Sequence, residues 1–196
     1  MCDYLDMIKT DMTRNRRVGT MLAALSATAL ALAACGETEE PVKNAVGTAD
    51  PTSTMASDPN ATPANEIKGA ELAKGTFAAL KSAPAGTKSV TGVAYLAQHD
   101  KGTTVTIDVK GLQPDTAYMS HLHEQPCAKD EGGDHFQFDA KGPEAPPNEI
   151  HIAFTADADG AATTTVSNDN PKTKGAKSIV LHLEDKDGTK FACADF

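Results

Sequence analysis

The stretch HLHEQPC, residues 121–127, sets two histidines one position apart and a cysteine shortly after them, in a chain that holds six His and four Cys among 196 residues. On a β-strand, alternate side chains point to the same face. His121 and His123 would then project together from one side while Leu122 enters the core. A segment that reads this way asks for a sheet around it, and the flanking sequence supplies one.

From about Ile67 onward, short runs rich in β-branched and apolar residues alternate with turn signals, the pattern of an antiparallel sandwich or barrel. The spacing predicts strands at 75–81, 90–98, 103–110, 117–124, 149–156, 161–167, 178–184 and 189–194, eight in all and with no long helix. GAELAKGTFAALK, residues 69–81, also fits a helix by its Ala, Leu and Lys content. Asp159-Gly160 and Asp187-Gly188 each separate two strand-like runs and predict tight hairpins. Their contexts, DADG and DKDG, are not calcium loops, because Asn168 and Phe196 stand where such a loop needs its twelfth-position Glu. A long irregular segment, 125–148, rich in Pro and Gly, requires a function or a staple to be tolerated in a compact domain.

The N-terminal third reads differently. Arg14, Arg16 and Arg17 precede an uncharged run, 18–34, that ends in LAAC at 32–35. This is the anatomy of an export signal, residues 1–34, with Met12 the expected start because three acids precede it. The terminal Cys resembles a bacterial lipobox and makes Cys35 the expected lipid-bearing residue. An uncleaved anchor is the alternative, with a run at the lower limit of a spanning helix. Residues 35–66 have no aromatic residue, Leu or Ile and predict a disordered tether. The folded domain is expected at 67–196. The chain carries a formal charge of −9, and without residues 1–34 it has no Arg. Such a surface excludes binding to nucleic acid or to an anionic membrane by charge. Attachment to a membrane is expected through lipid, on the outer face of the cell membrane or in the periplasm. In that exported setting Cys127 and Cys193, left after Cys2 and Cys35 are set aside, are expected to form a disulfide.

His-x-His on a strand is weak evidence for a metal by itself. Two further histidines strengthen it: His135 in GGDHF, inside the long segment, and His182 in SIVLHLE, where Ile179, Leu181 and Leu183 alternate as core. An all-nitrogen set drawn from these four suits copper best and zinc next.

HLHE, Cys127, GDHF, VLH and FAC occur in that order, preceded by VKGLQPDTAY at 109–118. This series resembles the copper/zinc superoxide dismutases over about residues 87–196. The resemblance implies an all-β, eight-stranded Greek-key barrel or sandwich, with His121, His123, His135 and His182 as copper ligands and Cys127–Cys193 as the family disulfide. It also implies superoxide as substrate, with His135 the catalytic ring that parts from copper and supplies a proton, and Lys190 standing where the family keeps an Arg above the metal. Lys190 would attract the anion as a point charge, without Arg's two-pronged hydrogen bonding.

Two departures matter. After His135 the family's zinc site needs further histidines and an Asp, but only His151 follows, and Phe154 stands at the Asp position. His151 therefore reads first as a strand-face residue and second as a zinc or accessory ligand, while His99 reads as exposed. Seven residues separate His182 from Lys190, so the family's long charged loop is missing. Both losses are similar to the copper-only branch. The same residues also permit a non-catalytic copper-binding or buffering lipoprotein, and a metal-free β module is a third reading that leaves the four histidines without explanation.

Overall fold

The computed structural model describes Met55 and residues 57–196. The export signal, Cys35 and most of the expected tether lie outside the described residues. Eight strands follow in order: β1 (Glu71–Ala79), β2 (Thr91–His99), β3 (Gly102–Lys110), β4 (Ala117–His123), β5 (His151–Thr155), β6 (Ala161–Asn168), β7 (Ser178–Leu183) and β8 (Lys190–Asp195). They form one antiparallel sheet in the order β5-β4-β7-β8-β1-β2-β3-β6. The sheet curls into a nearly closed barrel, and no α-helix occurs among the described residues.

Each strand predicted from period-two patterning is present. Within 69–81, Glu71–Ala79 is strand and nothing is helix. Glu71 to Phe77 pair with β2, and Ala78 and Ala79 pair with β8. Helix propensity yields here because two neighbouring strands offer the backbone ladders it needs, and because Phe77 buries into the core. Gly75 permits the close approach to β8: a Cβ there would lie 2.6 Å from the Asp195 carbonyl oxygen.

Inward residues on alternate positions fill the barrel, among them Val105, Ile107 and Val109 of β3, Ile152 of β5, Ile179 and Leu181 of β7, and Phe191 of β8. Tyr118 stacks on Phe154 at 5.7 Å between ring centres and tilts against Phe191 at 5.5 Å. The outward threonines of β3 are covered as well. Ala64, at the start of a 3₁₀ turn (Ala64–Glu66), is buried and donates its N–H to Thr106 Oγ1 at 2.9 Å. Composition assigns this turn to the tether, yet it sits on the sheet, because a small apolar residue followed by a turn needs only one methyl's worth of contact and one hydroxyl acceptor to seat.

The two Asp-Gly sites are turns. Asp157 Oδ1 accepts from the N–H groups of Asp159 and Ala161, and Asp185 Oδ1 accepts from those of Asp187 and Thr189. The first acid of each calcium-like run, Asp157 or Asp185, is thus spent on its own backbone.

Cys127 and Cys193 are joined by a disulfide, with Cα atoms 5.7 Å apart and 66 positions between them in sequence. The bridge fastens the start of the 125–148 segment to β8. Closing a loop of that length in the unfolded chain stabilises the fold by about 4 kcal/mol in the chain-entropy picture. Cys193→Ser is therefore expected to lower the free energy of unfolding by about that amount, as read from urea midpoints. An unchanged midpoint would mean that the 125–148 segment is held by packing alone.

Candidate metal centre

β4 delivers His121 and His123 to one face of the sheet. β7 runs beside β4 and places His182 across from Met119, two residues before His121 and so on the same face as the His pair. Backbone pairing between His123 and His135 draws the loop histidine in over them. As a result one nitrogen from each of His121, His123, His135 and His182 lies within 4.8 Å of every other. The ring centres of His121 and His135 are 4.0 Å apart, and those of His123 and His182 are 5.3 Å apart. His123, His182 and His121 are buried, and His135 keeps 34 % of its side chain exposed. The three strand-borne rings are thus buried, and the ring from the 125–148 segment lies between them and solvent.

Hydrogen bonds at the far side of each ring decide which nitrogen faces inward. His123 Nδ1 is 3.0 Å from the Gly133 carbonyl oxygen, and His182 Nδ1 is 2.8 Å from that of Gly188. A carbonyl only accepts, so both Nδ1 atoms carry the proton and both Nε2 atoms carry lone pairs. Those two Nε2 atoms stand 3.2 Å from each other. Lone pair facing lone pair at that distance is repulsive unless a cation lies between them. His121 Nδ1 is buried with no hydrogen-bond partner, the second atom that asks for an electrophile. Protonation is not the answer. Burial, with the positive charge that His135 and His182 would carry, pushes His123 down to about 3, and burial pushes His182 down to about 4 against the pull of its Gly188 bond. His121 is held far below the ordinary imidazole range by burial and by the surrounding rings. Neutral imidazoles turned toward one point, with no carboxylate or thiolate among them, form a donor set that fits copper first and zinc second.

Sequence reasoning missed Glu149. It is buried, and its Oε2 accepts from His135 Nδ1 at 2.9 Å and from His151 Nε2 at 2.8 Å, while Oε1 accepts from Gln137 Nε2 at 3.0 Å. Burial alone would raise its carboxyl, but hydrogen bonds from His135, His151 and Gln137 outweigh that and hold it below the usual carboxylate range. By keeping the Nδ1 proton of His135, Glu149 leaves Nε2 as that ring's free lone pair. The Glu-x-His spacing of Glu149 and His151, inside the run expected to be strand at 149–156, is the signal that was available, although Glu149 lies just before β5. His151 is a strand residue, as expected, but not an inert one. It is buried, pairs with His121 across the β4–β5 ladder, and fixes the carboxylate. His135, Glu149 and His151 also lie close enough to hold a cation. Their donors and acceptors already meet one another, unlike those of the central four, so zinc has the weaker claim.

Metal ligands whose outer nitrogens are held by carboxylates bind about 10–100-fold more tightly than ligands without such support. Glu149→Gln is expected to weaken copper binding by that factor in competition with a chelator of known affinity, because the amide turns a donor toward one of two N–H groups. Equal affinity in the variant would assign Glu149 to folding alone.

Lys190, expected near the metal, donates from Nζ to the Gly133 carbonyl oxygen at 2.7 Å. Gly133 thus serves a ring nitrogen and an ammonium with one oxygen. Burial lowers the Lys190 ammonium pKa, and Glu131, Asp134 and Asp130 nearby work against that shift. His99 lies elsewhere, on Thr104 Oγ1 at the end of β2, and takes no part in the cluster.

No protein-family model and no curated protein matches the chain. Among solved structures it is similar to a Cu/Zn superoxide dismutase from Brucella abortus, at 23 % identity, with 64 % of this chain and 99 % of that chain covered and a TM-score of 0.47. It is also similar to a mutant of a SOD-like protein from Bacillus subtilis, at 14 % identity over 62 % of this chain and 95 % of that chain, with a TM-score of 0.47. A double mutant of a SOD-like protein from the same organism gives 13 % identity, the same coverages and a TM-score of 0.45.

Proposed function

We propose that the chain is a copper-dependent superoxide dismutase, exported and held at the outer face of a membrane by lipid on Cys35. The observation that carries this reading is the pair of buried Nε2 lone pairs 3.2 Å apart on His123 and His182, beside the unpartnered Nδ1 of His121. Copper, when bound, supplies the one-electron oxidation and reduction that turn superoxide into oxygen and peroxide.

The residues of the chain do the rest. His121, His123 and His182 are locked by burial and backbone acceptors and would hold the ion. His135 is the one ring of the four that is not buried, so it is placed to exchange a proton with water at Nε2 while Glu149 retains the proton at Nδ1. Lys190 adds a cation to the wall of the same cavity, which measures about 750 Å³ and is lined by His121, His135 and His182.

One observation favours the second reading, a copper-buffering lipoprotein on the same fold: acidic side chains line the mouth of that cavity. The two readings part on turnover. The full chain is to be purified from cells supplied with copper and zinc, analysed for bound metal, and assayed for superoxide removal. About one copper per chain with rapid removal supports the enzyme, copper without turnover supports the buffer, and a metal-free chain that cannot be loaded overturns both.

A further inference from the structure

The mouth of the metal cavity has a charge pattern that the proposed reaction does not call for. Glu124, Asp134, Glu144, Glu184, Asp185 and Asp187 line it, and all six are exposed. Against them the cavity wall offers Lys190, whose ammonium is already bound to a backbone carbonyl. Lys186 lies 3.6 Å from Asp187 and offsets that carboxylate, and the other five make no ion pair among the described residues. At the floor of the same cavity sits His121, 8 % exposed, with a buried nitrogen that has no partner. An acidic rim leading to a donor that lacks an electrophile is a path shaped for a cation. For an anion it is a barrier.

We propose that this rim collects copper ions for the four-histidine site and repels superoxide, so that metal uptake slows and superoxide removal quickens as salt is added. The proposal rests on the copper reading above for its site, while the rim acts on any small ion by the sign of its charge. Clefts lined by one sign of charge change the arrival rate of small ions by about tenfold or more at low ionic strength. The effect fades as the screening length shrinks from about 30 Å at 10 mM to about 3 Å at 1 M salt. A site that steers superoxide inward would show the opposite salt dependence.

The test uses the full chain, stripped of metal and mixed with aqueous Cu(II) in a weakly coordinating buffer, with uptake followed by the visible absorption of the bound ion. The uptake rate constant is expected to fall about tenfold between 10 mM and 0.5 M ionic strength. In the combined variant Glu124→Gln, Glu144→Gln, Glu184→Gln it is expected to start several-fold lower and to lose most of its salt dependence. These three side chains are exposed and make no hydrogen bond that the fold relies on. Copper-loaded chain assayed in parallel should remove superoxide faster as salt rises, and the triple variant should be faster still at 10 mM. Uptake that is flat in salt, or unchanged in the triple variant, overturns the rim as a collector. Superoxide removal that slows with salt overturns it also. If the loaded chain removes no superoxide at any salt, the enzymatic reading fails, and the uptake rates alone decide on the rim.

Discussion

His135→Ala is expected to lower superoxide removal by roughly 10²–10⁴-fold, the range that a positioned acid–base group contributes, while the variant still takes up copper. The expectation follows from what separates this ring from the other three. His121, His123 and His182 are buried, whereas His135 reaches solvent and comes from a loop rather than a strand. Its removal leaves three donors on the rigid β4 and β7, enough to keep an ion but not to relay a proton. The measurement is a direct superoxide decay assay on variant and parent at matched copper content. If the variant retains full turnover, His135 is a structural ligand and the proton reaches the site another way. If the variant loses copper altogether, the three strand rings are not the anchor described here.

In acid, the metal-free chain is expected to lose about 4 kcal/mol of stability for each pH unit below 6.5. An unfolded imidazole takes up its proton near pH 6.5. In the native chain His182 does so only near 4 and His123 near 3, and His121 lower still. Below 6.5 the unfolded state therefore binds protons that the native state refuses, and stability falls by about 1.4 kcal/mol per ring per pH unit. Stability from these rings is whole above 6.5 and is lost as pH drops toward 4 and 3. Glu149 acts in the same direction at lower pH, because its depressed carboxyl contributes stability above the ordinary carboxylate range that is lost as acid protonates it. Typical domains have only about 5–15 kcal/mol in hand, so unfolding is expected by about pH 4.5. Urea midpoints taken from pH 7.5 to 4.5 on metal-free and copper-loaded chain measure it. A midpoint that stays level for the metal-free chain would mean the rings are protonated in the native state.

The strands were legible because period-two patterning and Asp-Gly turns are local signals, readable over a few residues. The four histidines and the disulfide were legible because imidazole and thiol are rare here and keep to an ordered spacing. Glu149 escaped notice since an acid in an acidic chain carries no contrast; only its burial under the 125–148 segment, which no local pattern encodes, makes it unusual. His151 is legible as a strand residue, but its burial against Glu149 is not, because that contact is made by the fold and not by the local pattern. The strand β1 competed with a helix because Ala, Leu and Lys favour one in isolation, and it was decided by tertiary partners, β2 for most of its length and Ala192 and Cys193, more than a hundred positions away, at its end. The acceptors on Gly133 and Gly188 had no side-chain signature at all.

The Gly133 carbonyl orients a proposed ligand ring and binds the one lysine of the cavity wall, so two functions of the centre share an atom that no codon specifies directly. The residue holds φ at +69°, and a Cβ there would meet Gln125 Cγ at 2.5 Å. Drift at this position is thus constrained along with drift at the proposed ligand histidines, and a mutational scan scored on copper retention is expected to rank a residue without a side chain beside them.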